Sequence, residues 1–151
     1  IVQDQDGWLW VGTQAGLHRW DGSDMRPIFD AGNPDAPEES IVTTLAVGVP
    51  GELWVGTATS GLARLDSRRL RYLPVAASTL PDHPASRQIL ALSYRDGEGL
   101  WVASLAGLER IDELGRRIAI MERRSDVSGS LMISALVPRP AGGVWIGTQQ
   151  G

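Results

Sequence analysis

Cysteine is absent from the sequence. Disulfides, thiolate metal sites and cysteine nucleophiles are excluded together. The compartment stays open, because a cysteine-free chain folds equally well in cytoplasm or periplasm. Histidine is scarce: His18 and His83 are the only two. No Ser/His/Asp set can be assembled by motif, and no His–carboxylate cluster has metal-ligand spacing. No hydrophobic run approaches the ~18 residues of a membrane-spanning helix. An excess of positive charge is missing too. The formal charge is −4, and the 14 basic residues are arginines with tight groups only at Arg68, Arg69 and Arg71, at Arg116 and Arg117, and at Arg123 and Arg124. These groups read as solvated strand edges or loops; nucleic-acid binding would need a basic stripe. Glycines fall at hairpin turns rather than between a strand and a helix, so there is no phosphate loop. Ile1-Val2-Gln3-Asp4 is not a translation start and has no basic leader. The sequence is therefore expected to be an excised segment.

What is present is globular in composition, with 42% hydrophobic and 21% charged residues, and it is repetitive. Trp10, Trp54, Trp101 and Trp145 lie 44, 47 and 44 residues apart. Around them recur Leu9-Trp10-Val11-Gly12-Thr13, Leu53-Trp54-Val55-Gly56-Thr57, Leu100-Trp101-Val102-Ala103-Ser104 and Val144-Trp145-Ile146-Gly147-Thr148. Downstream comes Gly-Leu-x-Arg-x-Asp, as Gly16 to Asp21, Gly61 to Asp66 and Gly107 to Asp112. Upstream, Val42, Ile89 and Ile133 stand twelve residues before a Trp, and Ile1, Leu45, Leu92 and Leu136 stand nine before.

Each period divides into four extended runs. The first alternates, as in Ile41 to Val47. The Leu-Trp-Val run is apolar at consecutive positions, which suits a strand covered on both faces. The third, Leu-x-Arg-x-Asp, alternates again. The fourth is irregular and charged, which fits an outer edge where Pro is tolerated. Four antiparallel strands every ~45 residues are a propeller blade. The expected fold is all-β: a β-propeller segment of three four-stranded blades and the first half of a fourth, part of a larger ring. The blades are assigned to residues 1–40, 41–86 and 87–130, with a partial blade at 131–151. Residues 30–40, 75–87 and 122–130 are read as polar loops between blades. Because propellers need about four to eight blades, the segment is expected to self-associate or to complete a larger ring. Two copies would supply about seven blades.

The pattern from Asp4 to Asp21, x-Asp-x-x-Gly-x-Leu-Trp-Val-Gly-Thr-x-x-Gly-Leu-x-Arg-x-Asp, resembles the two-component-regulator propeller repeat, and the resemblance extends over nearly the whole chain. Ala103-Ser104 departs from it where Gly-Thr is expected. The resemblance implies an extracytoplasmic (periplasmic) sensor of an inner-membrane protein, responsive to carbohydrate or other environmental signals. It also implies a transmembrane helix leading to a histidine kinase, hybrid kinase or diguanylate cyclase output.

The repeated residues Trp10, Trp54, Trp101, Trp145, Gly12, Gly56 and Gly147 read as framework. Trp is the wedge between blades, Gly permits close approach, and the following Thr satisfies a backbone group. The repeated Arg and Asp, two residues apart on one strand face, are expected to be exposed and able to pair across blades. His18 reads as a surface strand residue. A ligand site would be built from non-repeating residues of the inter-blade loops: Asn33, Asp35, Asp82, His83, Arg87, Gln88, Arg124, Ser125 and Asp126. No catalytic residue, metal or cofactor is assigned. Two readings remain open: a sensory input module for a small molecule, carbohydrate or metabolite, and a structural or protein-interaction propeller without such a ligand. A propeller lyase is disfavoured, since it needs a His and carboxylate–metal set.

Overall fold

The computed structural model describes residues 1–38, 41–80, 84–122 and 132–149. The described residues form four separate antiparallel sheets. The first holds β1 (Val2–Gln3), β2 (Leu9–Thr13), β3 (Gly16–Trp20) and β4 (Met25–Pro27). The second holds β5 (Val42–Val47), β6 (Glu52–Thr57), β7 (Leu62–Asp66) and β8 (Arg71–Leu73). One helical turn, α1 (Pro84–Arg87), precedes the third sheet of β9 (Ile89–Arg95), β10 (Gly99–Ser104), β11 (Gly107–Ile111) and β12 (Arg117–Glu122). A two-stranded sheet of β13 (Ile133–Pro138) and β14 (Val144–Thr148) follows. Within each sheet spatial order equals chain order, so every sheet is a meander. The all-β propeller segment expected from the repeat is what the chain adopts. The helical turn was not expected; four residues are too few to leave a helical period in a sequence.

Burial follows the run types. β6 and β10 are buried at every position, because a sheet lies against each of their faces. β7 alternates, and β4 is exposed throughout. The turn between the first and second strands needs a left-handed residue, and Gly7, Gly51 and Gly97 supply it at φ of 88°, 89° and 81°.

The core lies between the sheets. Trp10 and Leu17 of the first sheet pack with Val42, Leu53, Val55 and Leu65 of the second. Trp54 and Ala46 of the second pack with Ile89, Leu92, Leu100, Val102 and Ile111 of the third. Trp101, Ala103 and Leu108 of the third pack with Ile133 and, beside it, Leu136 and Val144. Trp10, Trp54 and Trp101 thus each pack against the sheet that follows their own. Gly12, Gly56 and Ala103 form a notch beside it. A Cβ on Gly56 would stand 2.6 Å from both Ile89 Cγ2 and Thr44 Cγ2, and one on Gly12 would overlap Val42. Val42, Ile89 and Ile133, twelve residues before a Trp, are the aliphatic knobs that enter the notches. Ala103 is tolerated and fully buried beside Ile133.

Candidate ligand-binding face

Among the described residues, the repeated Arg and Asp do not form the inter-blade ion pairs that their spacing allows. Register places each Arg directly across from its Trp: Arg19 from Trp10, Arg64 from Trp54, Arg110 from Trp101. The guanidinium carbons lie 5.9, 5.5 and 5.7 Å from those rings, and Arg19 is also 4.2 Å from Trp8. The rings' negative faces hold the cations in their own blade. The indole N–H of each Trp donates to a nearby carboxylate, at Asp4 (2.7 Å), Glu52 (2.9 Å) and Glu98 (3.4 Å). Glu52 accepts from Arg64 Nε as well, at 2.6 Å. The repeated Asp caps the following turn: Asp21 accepts from the N–H of Ser23 and Asp24, Asp66 from Arg68 and Arg69, Asp112 from Leu114 and Arg116. The backbone N–H groups of Asp24 and Ser23 hold the Asp21 carboxyl at about 2. Pairing across blades falls to non-repeating groups, such as Arg68 with Asp6 at 2.9 Å.

On the opposite end of the sheets, the turn after each second strand meets the residue preceding the first strand. Ala58 N–H donates to Ile41 O (2.9 Å), Leu105 N–H to Gln88 O (3.1 Å) and Gln149 N–H to Met132 O (3.2 Å). The hydroxyls of Thr13 and Thr57 close those turns by donating to Gly16 O (3.0 Å) and Gly61 O (2.8 Å). Gln88 therefore occupies a repeating framework position. His18 is half-buried, its Nδ1 3.4 Å from Gly16 O.

The first two inter-blade segments, where described, lie on this same end and act as straps over the following blade. Asn33 is committed to the first strap. Its amide donates to Asp30 Oδ2 (2.5 Å) and to Tyr72 O (2.9 Å), while Asp30 Oδ2 accepts Tyr72 N–H (2.9 Å). Two side chains thereby satisfy the outer backbone edge of β8. The Asn33 amide, then the Tyr72 N–H, lower the Asp30 carboxyl below its usual range. In blade 3 the polarity is reversed. Glu109, fully buried on β11, takes the second strap through its own carboxylate, accepting from Thr79 N–H (2.8 Å), Thr79 Oγ1 (3.0 Å) and Ser78 Oγ (2.9 Å). Arg117 of β12 completes the site, donating from Nη2 to Glu109 at 2.5 Å and from Nη1 to Ala76 O at 3.2 Å. The sequence reading passed over this cluster. Its one signal was a Glu, between Leu108 and Arg110, at the repeat position that holds His18 and Ala63 elsewhere.

Where blade 2 carries Ala63 at that position, a cleft of about 410 Å³ stands open. Leu62, Ala63, Leu73 and Val75 form its apolar floor, and Asp35, Glu38, Thr59, Ser60 and Arg87 contribute to its rim. Of the expected site residues, this cleft brings together Asp35 and Arg87. A second cleft of about 730 Å³ lies beside it, lined by Asn33, Tyr72 and the exposed Phe29. Asp82, His83, Arg124, Ser125 and Asp126 lie outside the described residues. Among the described residues no three His, Cys, Asp or Glu side chains come together as a metal site. No helix among them is long and apolar enough to cross a membrane.

Four-stranded meanders joined by Trp wedges, with clefts under the straps, define the chain as a β-propeller segment. It is similar in fold to proteins described as the extracellular domains of two hybrid two-component systems of B. thetaiotaomicron. With BT4673 it shares a TM-score of 0.72 and 20% identity over 97% of this chain and 18% of that one. With BT3049 it shares a TM-score of 0.69 and 17% identity over 100% of this chain and 27% of that one. The chain thus spans about a fifth to a quarter of the solved structures it matches. No family model and no curated protein matches the sequence.

Proposed function

We propose that the chain is the ligand-sensing input segment of a membrane-bound bacterial signalling protein of the two-component type. It works outside the cytoplasm, in the periplasm, and its output, a histidine kinase or diguanylate cyclase, lies outside this segment. The segment itself binds and does no chemistry. The observation that carries the reading is the open cleft over Ala63. Its size suits a small metabolite or one to two sugar units. Its rim offers both signs of charge and two hydroxyls above an apolar floor. Likeness in fold to extracellular sensor domains supports the same reading.

The test is thermal unfolding against a panel of oligosaccharides and small metabolites. A ligand of the native state raises the midpoint saturably, by mass action. The shift should vanish in Asp35→Ala and Arg87→Ala, and in Ala63→Leu, which fills the floor. A shift unchanged in all three variants would sink the assignment of this cleft. The second reading, a protein-interaction propeller, is favoured by Phe29, 77% exposed at the mouth of the neighbouring cleft. It predicts no small-molecule shift on a well-folded chain.

A further inference from the structure

At the turn end of the sheets, away from the straps, another cleft lies between the second and third sheets. Both of its walls are four-stranded sheets. Its volume is about 380 Å³, and Glu52, Trp54, Arg64, Tyr94 and Glu113 contribute to its lining. The corresponding place between the first and second sheets is filled. Two residues before the repeated Trp, blade 1 has Trp8 where blade 2 has Glu52. The Trp8 indole packs against the cluster of Trp10, Leu53 and Leu65. Arg19 stands over two rings there, 4.2 Å from Trp8 and 5.9 Å from Trp10. Arg64, its counterpart, stands over Trp54 at 5.5 Å, and no second ring lies over it among the described residues. Glu52 is buried and fixes this arrangement, accepting from Trp54 Nε1 at 2.9 Å and from Arg64 Nε at 2.6 Å. Tyr94, at the repeat position of Gln3 and Val47, packs beside the same Trp54 cluster.

We propose that this cleft binds a neutral, flat aromatic ring bearing an N–H or O–H donor, of the indole or phenol class, which lies on the Arg64 guanidinium as Trp8 lies on Arg19. The ligand supplies between blades 2 and 3 the ring that blade 1 supplies from its own chain. A guanidinium attracts the negative face of such a ring, and Glu52 already holds this one in place. The donor answers the carboxylates of the lining. Glu113 spends Oε1 on the Gly97 N–H, at 2.8 Å, and lines the cleft with Asp112. Asp112 is paired with Arg116, which leaves Glu52 and Glu113 against Arg64. That balance disfavours a ligand carboxylate, and a cationic ring is repelled by the guanidinium on which it must lie. The volume falls within the range of small-molecule sites. The cleft over Ala63 is at the other end of the sheets, so the two sites stand or fall separately.

Titration of the isotope-labelled chain with indole or p-cresol, followed through the tryptophan indole N–H resonances, tests this. The Trp54 resonance should shift saturably, with a Kd on the order of 1 mM for so small a ligand. The Trp10 resonance, whose groove Trp8 already fills, should stay in place. Cyclohexanol, which has the donor without the flat ring, should leave Trp54 unmoved. Arg64→Lys keeps a cation beside Glu52 but loses the planar face, and should weaken binding at least about fivefold. A Trp54 resonance that stays still up to about 10 mM indole would overturn the proposal. So would equal shifts at Trp10 and Trp54, an equal response to cyclohexanol, or binding undiminished in Arg64→Lys.

Discussion

Truncating Glu109 to Ala tests whether the second strap is held by a buried ion pair. The carboxylate is fully buried and accepts three hydrogen bonds from the strap and one from Arg117, whose side chain is itself nearly buried. Hydrogen bonds to a charged group contribute about 1.5–3 kcal/mol each at most, and removing one member of a buried pair strands the other. The expected cost is about 3–5 kcal/mol. That is a large part of the 5–15 kcal/mol typical of a domain. Glu109→Gln keeps an acceptor for Thr79 but not the charge, and should cost less. The double change Glu109→Leu, Arg117→Met should recover most of the loss, since apolar replacement of a buried pair is often neutral. Urea unfolding followed by Trp fluorescence, at a low fixed protein concentration, gives the energies. Hydrogen exchange at the Thr79 amide reports the strap itself and should quicken in Glu109→Ala. The pair also makes stability depend on pH. Burial pushes the Glu109 carboxyl up, but the Arg117 hydrogen bond and charge, with Thr79 and Ser78, hold it below its ordinary 4.5. The unfolded chain therefore takes up this proton at a higher pH than the folded one. The contribution is complete at neutral pH, begins to fall as the pH drops through about 4.5, and is gone below the folded value. A cost under about 1 kcal/mol, or single losses that simply add in the double-mutant cycle, would refute the coupling.

Trp54→Ala should destabilise by about 3–5 kcal/mol in the same assay, while Trp145→Ala, measured at monomer concentration, should change stability by less than about 0.5 kcal/mol. Gly56→Ala drives a Cβ into Ile89 and Thr44 and should cost about 1–3 kcal/mol, recovered in part by Ile89→Ala. Ala103→Gly should lose rather than gain stability, because Ile133 already fits the filled notch. Burial, and secondarily the Asp30 charge, push the Tyr72 hydroxyl up to about 12, so stability should be unaffected below pH ~10 and fall between about 10 and 12. Tyr72→Phe should flatten that limb in a pH series of thermal midpoints.

The framework was legible because the sequence states it several times. A Trp followed two residues later by a small residue, with an aliphatic twelve places before, marks wedge, notch and knob without coordinates. The partners of the repeated Arg and Asp were not legible. Both lie on one strand face, and only the register shows that Arg19, Arg64 and Arg110 stand across from a Trp while the Asp turns inward to cap its own hairpin. The straps were least legible. Asn33 and Glu109 each occur once, and their partners lie 39 and 30 residues away. Choosing non-repeating loop residues for a ligand site led to Asp35 and Arg87, which do share a cleft. It also led to Asn33, which is committed to holding β8, because absence of repetition marks private structural contacts as readily as binding ones.

The opposite polarity of the two straps bears on how such a chain can be cut and rejoined. Wedge, notch and knob recur from one interface to the next: Gly12 receives Val42 as Gly56 receives Ile89. The straps do not. Asp30 and Asn33 are keyed to the backbone of β8, and Ser78 and Thr79 to a carboxylate found only on β11. A graft that moved strands β9 to β12 without residues 74–88 would strand Glu109 beside a foreign loop, although every wedge still fitted. The transferable module is therefore a strap together with the blade after it, and a library of chimaeras should place its junctions at the end of the fourth strand rather than at the start of the first.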